Sequence, residues 1–219
     1  MEQIMRIFHY LSKKPKKTIY MDPAIPHIDF GDFNHNTDEF KEYYRDAEEL
    51  LPYRMPPPRG RPVVTSGFVD ASHGANKKTR RSHTGYILFV NRAPVKWISR
   101  RQQTVETSAF SSEFIAMKQC IEDVEHLRFK LRMFGIPLDD SYPETYLRCD
   151  NEGLVKNASL VESTLNKKHS AIAYHFTRWN VAANVVRIAW IQTKDNLADA
   201  LTKLLSEPAR EYLFDQWTY

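Results

Sequence analysis

The chain has 219 residues, enough for one large domain or a medium domain with an appendage. Its formal net charge of +4 is too small an excess to point to a partner, while 42% hydrophobic and 12% aromatic residues exclude wholesale disorder. No apolar run reaches the roughly 18–20 residues that a membrane span needs, and the N-terminus lacks the apolar core of a signal peptide. Cys120 and Cys149 are the two cysteines, too few and too far apart for a disulfide framework or a zinc knuckle. The expectation is a reduced, intracellular protein without a membrane segment.

Ile4, Ile7, Phe8 and Leu11 fall on one helical stripe, so residues 2–13 are expected to form an amphipathic helix. Residues 38–51 are a weaker helical candidate. Three successive prolines, Pro56 to Pro58, exclude both helix and central strand and mark an extended linker. A domain boundary is therefore placed after Pro62, dividing the chain into 1–62 and 63–219. Residues 63–69 read as a strand ending at Asp70. Residues 85–90 and 94–99 follow as a hairpin joined through Asn91, Arg92 and Ala93. The period then changes: Phe110, Phe114, Met117, Ile121, Val124 and Leu131 predict a long helix over 108–134, stopped by Gly135 and Pro137. Residues 145–149 form a strand ending at Asp150, and residues 166–183 a further helix. Residues 185–191 give a fifth strand. Asp195 and Asn196 can cap a short helix, and Ser206 with Pro208 opens a last one. A hairpin meander followed by alternating elements predicts an α/β protein, a mixed sheet with helices on its faces.

Charge is uneven along this order. Residues 1–62 carry ten basic and ten acidic side chains, whereas residues 71–105 carry eight basic ones and no acid. A solvated face explains any single member of that block; the window as a whole suggests a surface for a polyanion, nucleic acid foremost.

If the first and fourth strands lie side by side and parallel, Asp70 and Asp150 emerge at one edge, where open sheets bind ligands. Glu113 flanks the buried stripe in the first turns of the long helix, and Asp199 begins a helix after the fifth strand. An acid at a strand end is ordinary turn chemistry when taken alone. Clustered carboxylates repel, by about 4 kcal/mol per pair at 4 Å near a protein surface. A hard divalent cation with oxygen ligands, Mg²⁺ above all, offsets that repulsion. Two such ions would suit hydrolysis of a phosphodiester.

Certain segments are distinctive as words. They are Phe68-Val-Asp70-Ala-Ser-His-Gly74, Ser82-His-Thr-Gly85-Tyr, Trp97-Ile-Ser-Arg-Arg-Gln102, Glu113-Phe-Ile-Ala-Met, Cys149-Asp-Asn151, Lys168-His with Tyr174-His-Phe176, and Asp195-Asn-Leu-Ala-Asp199-Ala-Leu-Thr-Lys203. In this order, over residues 63–205, they resemble the ribonuclease H domain of copia-type LTR retrotransposon polyproteins. Residues 1–62 resemble the tail of the adjoining reverse transcriptase, a thumb-like helix and connection, without a polymerase palm. The resemblance implies a ribonuclease H-like fold, with a five-stranded mixed β-sheet flanked by helices. It implies metal-dependent endonucleolytic cleavage of the RNA strand of an RNA–DNA hybrid during reverse transcription. Asp70, Glu113, Asp150 and Asp199 match the family's metal-binding catalytic carboxylates, for two Mg²⁺ with Mn²⁺ as the alternative. Asp199 is preferred to Asp195, which is read as a cap. Asn151 follows the third acid as the pattern has it and is assigned to the hybrid backbone. Arg80, Arg81, Lys96, Arg100 and Arg101 are assigned to phosphates of the hybrid.

The implied partners are the hybrid and the reverse transcriptase portion of the same polyprotein, with no membrane. The implied address is a cytoplasmic virus-like particle or the nucleus. Two departures stand out: Ser111 occupies the place of a second glutamate, and no histidine lies between Ala182 and Asp199. A degenerate module that binds without cutting is the alternative. An integrase-type arrangement fails because no acid lies between Glu162 and Asp195. Zinc is the weakest reading: His169 and His175 are available, but the distant cysteines offer no ligand pair.

Overall fold

A computed structural model of the protein describes residues 2–33, 39–163 and 171–218. Five strands form one sheet: β1 (Thr65–Ser72), β2 (His83–Val90), β3 (Ala93–Arg101), β4 (Thr145–Cys149) and β5 (Val186–Trp190). Their spatial order is β3-β2-β1-β4-β5. The pairs β1–β2 and β2–β3 are antiparallel, whereas β4 lies parallel to both β1 and β5. Asn91 takes the left-handed conformation (φ 55°) that the tight β2–β3 turn needs, and its Oδ1 accepts the Val64 N–H at 2.9 Å. This is the ribonuclease H-like mixed sheet that the motifs implied.

The crossover from β3 to β4 is α3 (Ala109–Met133). Ser108 caps it by accepting the Ser111 N–H at 3.2 Å. At its other end Gly135 (φ 74°) donates to the Arg132 carbonyl and Ile136 to that of Leu131, so both bonds of a Schellman motif are made. The predicted stripe of Phe114, Met117, Ile121, Val124 and Leu131 is buried. Most of it packs with Val69, Leu88, Leu147 and Ile188 from the sheet. Cys120 and Cys149 are free thiols buried in this core. The same face is completed by α4 (Glu152–Ser159) and α5 (Ala171–Ala182). The predicted start of α5, with Lys168 and His169, lies outside the described residues.

The opposite face carries α6 (Asp199–Thr202) and α7 (Glu207–Phe214), with Leu197 and Leu213 packed on Ile87 and Phe89. Ile28 and Phe33 cover Val64, Tyr146 and Ala189 on that sheet. With both faces covered, β1 and β2 are buried along nearly their whole length.

Three elements differ from the sequence reading. The candidate helix over 38–51, whose Asp38 lies outside the described residues, is a single turn, α2 (Phe40–Tyr43). Phe40 and Ala47 pack on Ala182, and the chain then leaves the turn so that Glu49 reaches α3. Conversely, the sequence reading placed no element over residues 152–159, yet α4 forms there, with Asn151 as its cap and Leu154 and Ala158 fully buried. Lastly, α1 (Glu2–Lys13) forms as expected, but Ile4, Ile7, Phe8 and Leu11 are exposed. Ion pairs just beyond its end, such as Lys14 to Glu211 at 2.8 Å, fasten it to α7. Among the described residues no helix is long and apolar enough to cross a membrane.

Candidate metal centre and nucleic-acid face

The parallel pairing of β1 and β4 sets Val69 opposite Cys149, so Asp150, just past β4, lies beside Asp70, which is still within β1 because that strand runs on to Ser72 rather than ending at the acid. Asp199, first residue of α6, joins them: one carboxylate oxygen from each of the three lies within 4.8 Å of the others. Asn196 makes this approach possible. Its fully buried side chain donates to the Val69 carbonyl at 3.0 Å and accepts the Ala198 N–H at 3.1 Å, which ties the start of α6 to the end of β1. Gly85 contributes by absence. It pairs with Asp70 across β1–β2, and a Cβ there would meet Thr202 Cγ2 at 2.5 Å and Leu201 Cβ at 2.9 Å. Only glycine lets α6 lie so close over the strand.

Glu113 approaches from α3 on the other side. Its carboxyl is pushed up to about 9 by burial and by the Asp70 and Asp150 charges, with Lys203 and the Ala71 N–H pulling weakly the other way. Among the described residues its buried Oε2 has no hydrogen-bond partner. Burial raises Asp70 as well, against the Thr202 hydroxyl and Lys203. Asp199 rises to about 6 through burial, opposed by the hydrogen bond from Lys203. Thr202 Oγ1 donates to Asp70 Oδ2, and Lys203 Nζ reaches Asp199 Oδ1 at 2.6 Å and Asp70 Oδ1 at 3.4 Å. Four acids therefore face a single ammonium. A buried, unpartnered carboxylate oxygen beside three converging carboxylates is a donor set of hard oxygens short of positive charge. It fits Mg²⁺ or Mn²⁺ and offers no soft ligand.

The basic residues are spread differently. Arg100 and Arg101 end β3, exposed, beside a cleft of about 440 Å³ that Thr104, Lys118 and Gln119 also line. Gln102 fixes this edge to the start of α3, donating to Thr84 Oγ1 at 3.0 Å and to the Ser112 carbonyl at 2.8 Å. Arg80 (φ 58°) and Arg81 sit in the β1–β2 connection. Lys96 pairs with Asp123 at 2.7 Å, and Arg92 pairs with Asp22 at 3.2 Å. Asn151 Oδ1 accepts the Leu154 N–H at 3.0 Å as the cap of α4. Asp195 accepts the Tyr212 hydroxyl at 2.7 Å and is not among the three converging acids.

Sequence reasoning gave no site role to Asn196, which it read as a helix cap, nor to Thr202, Lys203 and Trp190, whose Nε1 donates to the Asp150 carbonyl at 3.2 Å. The string from Asp195 to Lys203 contained the first three. Its single signal was the density of polar residues around an acid.

No protein-family model matches the chain. The retrovirus-related Pol polyprotein from transposon RE1 of Arabidopsis thaliana is 30% identical over 151 residues, 69% of this chain and 10% of that protein. The polyprotein of transposon RE2 of the same plant is 29% identical over 151 residues, with the same coverage. That of transposon TNT 1-94 of Nicotiana tabacum is 25% identical over 146 residues, 67% of this chain and 11% of that protein. The chain thus spans about a tenth of the length of these relatives. Among solved structures, a ribonuclease H1 isolated from compost, in complex with an RNA/DNA hybrid, aligns with a TM-score of 0.49 at 16% identity. That alignment covers 63% of this chain and 93% of the other. The ribonuclease H1 of Halobacterium salinarum aligns with a TM-score of 0.48 at 15% identity, with the same coverage.

Proposed function

We propose that this chain, which belongs with the retrovirus-related Pol polyproteins of transposons and carries the ribonuclease H-like domain of a copia-type polyprotein, cuts the RNA strand of RNA–DNA hybrids at a divalent-metal centre. One observation carries the reading. One carboxylate oxygen from each of Asp70 in β1, Asp150 after β4 and Asp199 in α6 lies within 4.8 Å of the others, and Glu113 Oε2, buried and without a hydrogen-bond partner among the described residues, lies alongside.

Asp70, Glu113, Asp150 and Asp199 would hold the divalent ions, which would supply Lewis acidity and make a bound water easier to deprotonate to the hydroxide that attacks a phosphodiester. The rest is done by the chain. β1, β4 and α6 hold three carboxylates in place before any ion arrives, because Asn196, Trp190 and Thr202 fix the backbones and side chains that carry them. Glu113 keeps a proton on its buried carboxyl while the notch lacks added positive charge, which limits the repulsion in the metal-free protein. Arg100, Arg101 and Lys118 border the cleft along the following turns of α3, where they grip phosphates of the hybrid. Such contacts position the duplex without reading its sequence and weaken with salt. The choice of RNA for cutting rests on the 2′-hydroxyl and the groove shape. The reverse transcriptase portion of the polyprotein would bring the hybrid to this face.

The test is cleavage of an end-labelled RNA–DNA hybrid with and without Mg²⁺. Asp70→Asn is expected to lower the rate by about a thousandfold or more, beyond the roughly 10–100-fold of an outer-shell partner, while hybrid binding persists. Undiminished cutting by Asp70→Asn would discard the assignment. Binding without Mg²⁺-dependent cutting in the unaltered chain would make it a binding module.

A further inference from the structure

The carboxylate notch already contains a cation. Lys203 follows α6 and lies four residues beyond Asp199. Its Nζ stands 2.6 Å from Asp199 Oδ1 and 3.4 Å from Asp70 Oδ1, between two of the three converging acids. Among the described residues, Lys203 makes the ion pairs of both Asp70 and Asp199. The Lys203 side chain is 35% exposed, against 1% and 7% for the two acids it pairs with.

Asp70 and Asp199, the acids that Lys203 now pairs with, would also hold a divalent ion, which would bring a second positive charge into the notch beside the ammonium. Two cations in contact in a poorly screened notch repel strongly. One of them must leave, and the flexible four-carbon stem of lysine allows the ammonium to withdraw. The backbone has no such freedom. Leu201 and Thr202 are seated over Gly85, and Ser99 Oγ donates to the Leu201 carbonyl at 2.6 Å.

We propose that Lys203 is a built-in counter-cation of the notch, which neutralises Asp70 and Asp199 in the metal-free protein and gives up its place when a divalent ion binds. The inference rests on the reading of the notch as a metal centre and adds that the ion enters by exchange. Lys203 thereby weakens metal affinity and keeps the acids assembled while they wait. It is a positioning residue, distinct from the acids that hold the ion.

The experiment titrates the full chain with Mn²⁺ and counts free ion by electron paramagnetic resonance, with no substrate present. Lys203→Gln is expected to bind Mn²⁺ at least about tenfold tighter than the unaltered chain, whereas Lys203→Arg, which keeps the charge, binds no tighter. Equal or weaker binding by Lys203→Gln overturns the proposal. Should that variant fail to fold, the unaltered chain decides. With lysines labelled by ¹³C, the Lys203 Cε resonance, assigned by its loss in Lys203→Arg, is expected to move to the position of solvated lysines as Mg²⁺ saturates the notch. A resonance that stays fixed during saturation overturns the exchange and leaves the metal centre standing. Absence of Mn²⁺ binding in the unaltered chain, or undiminished binding in Asp70→Asn, removes the metal centre and the exchange with it.

Discussion

The two ends of α3 bury charge in opposite ways. Near its C-terminus Arg128 clasps Glu49 through two bonds of 2.6 and 2.8 Å, and Arg132 does the same. Arg128 also donates to the Pro143 carbonyl at 2.8 Å. Burial by itself would raise the Glu49 carboxyl, but the bonds from the two arginines prevail and hold it below its ordinary value. Near the N-terminus Glu113 meets Asp70 and Asp150 with one lysine in attendance, and its carboxyl moves the other way. The first cluster is complete within the protein. The second is short of positive charge, and that shortage separates a structural ion cluster from a site awaiting a cation.

Removing a partner from the complete cluster should have the largest effect on stability. Arg128→Ala removes one of the two bidentate partners of Glu49, leaving Arg132, and strips the Pro143 carbonyl of its donor; it is expected to destabilise the fold by about 3 kcal/mol, read by denaturant unfolding. The loss should not depend on divalent ions. If Mg²⁺ restored it, the two ends of α3 would not be independent.

The incomplete cluster should respond to pH instead. Glu113 has its ordinary value, 4.5, in the unfolded chain and about 9 in the folded one, so between these values the folded chain keeps a proton that the unfolded chain has released. Stability of the metal-free protein is therefore expected to fall as pH rises through that window, by at most about 1.4 kcal/mol per pH unit for one proton, and to level off above it. Glu113→Gln should flatten the profile. An unchanged slope in that variant would assign the titration to other groups.

The smallest expected effect lies in the packing that brings the acids together. Gly85→Ala puts a methyl group against Thr202 and Leu201, at an expected cost of about 1–3 kcal/mol. Divalent-ion binding should weaken in this variant through displacement of α6, while the Glu49–Arg128 cluster is untouched. Unchanged Mn²⁺ affinity would show that α6 can shift without moving Asp199.

The site was legible in outline because two of its acids inherit their places from strand pairing. Once the strands over 65–72 and 145–149 are read as parallel neighbours, Asp70 and Asp150 must share an edge. Glu113 followed from its position beside Phe114 in a helical period. Asp199 was a candidate from its place at the start of a helix after the fifth strand, and the string resemblance then preferred it to Asp195. Lys203 was quoted in that string without a role. Its contact with Asp70 spans 133 positions and exists because Gly85 lets α6 settle on the sheet. Asn151, chosen for its place next to an acid, also caps α4 through its Oδ1, a local role the sequence reading did not assign to it.

Local chemistry along the chain sufficed for the strand order of the hairpin and for the buried stripe and cap of α3. Those features depend on residues a few positions apart, where periodicity and hydrogen-bonding habit act directly. Which charges end up satisfied did not follow from any such neighbourhood. Glu49 and Glu113 are both glutamates in a chain of nearly balanced charge. Long-range packing places two guanidinium groups around one and two carboxylates beside the other, and in a poorly solvated interior that placement sets the proton affinity of each.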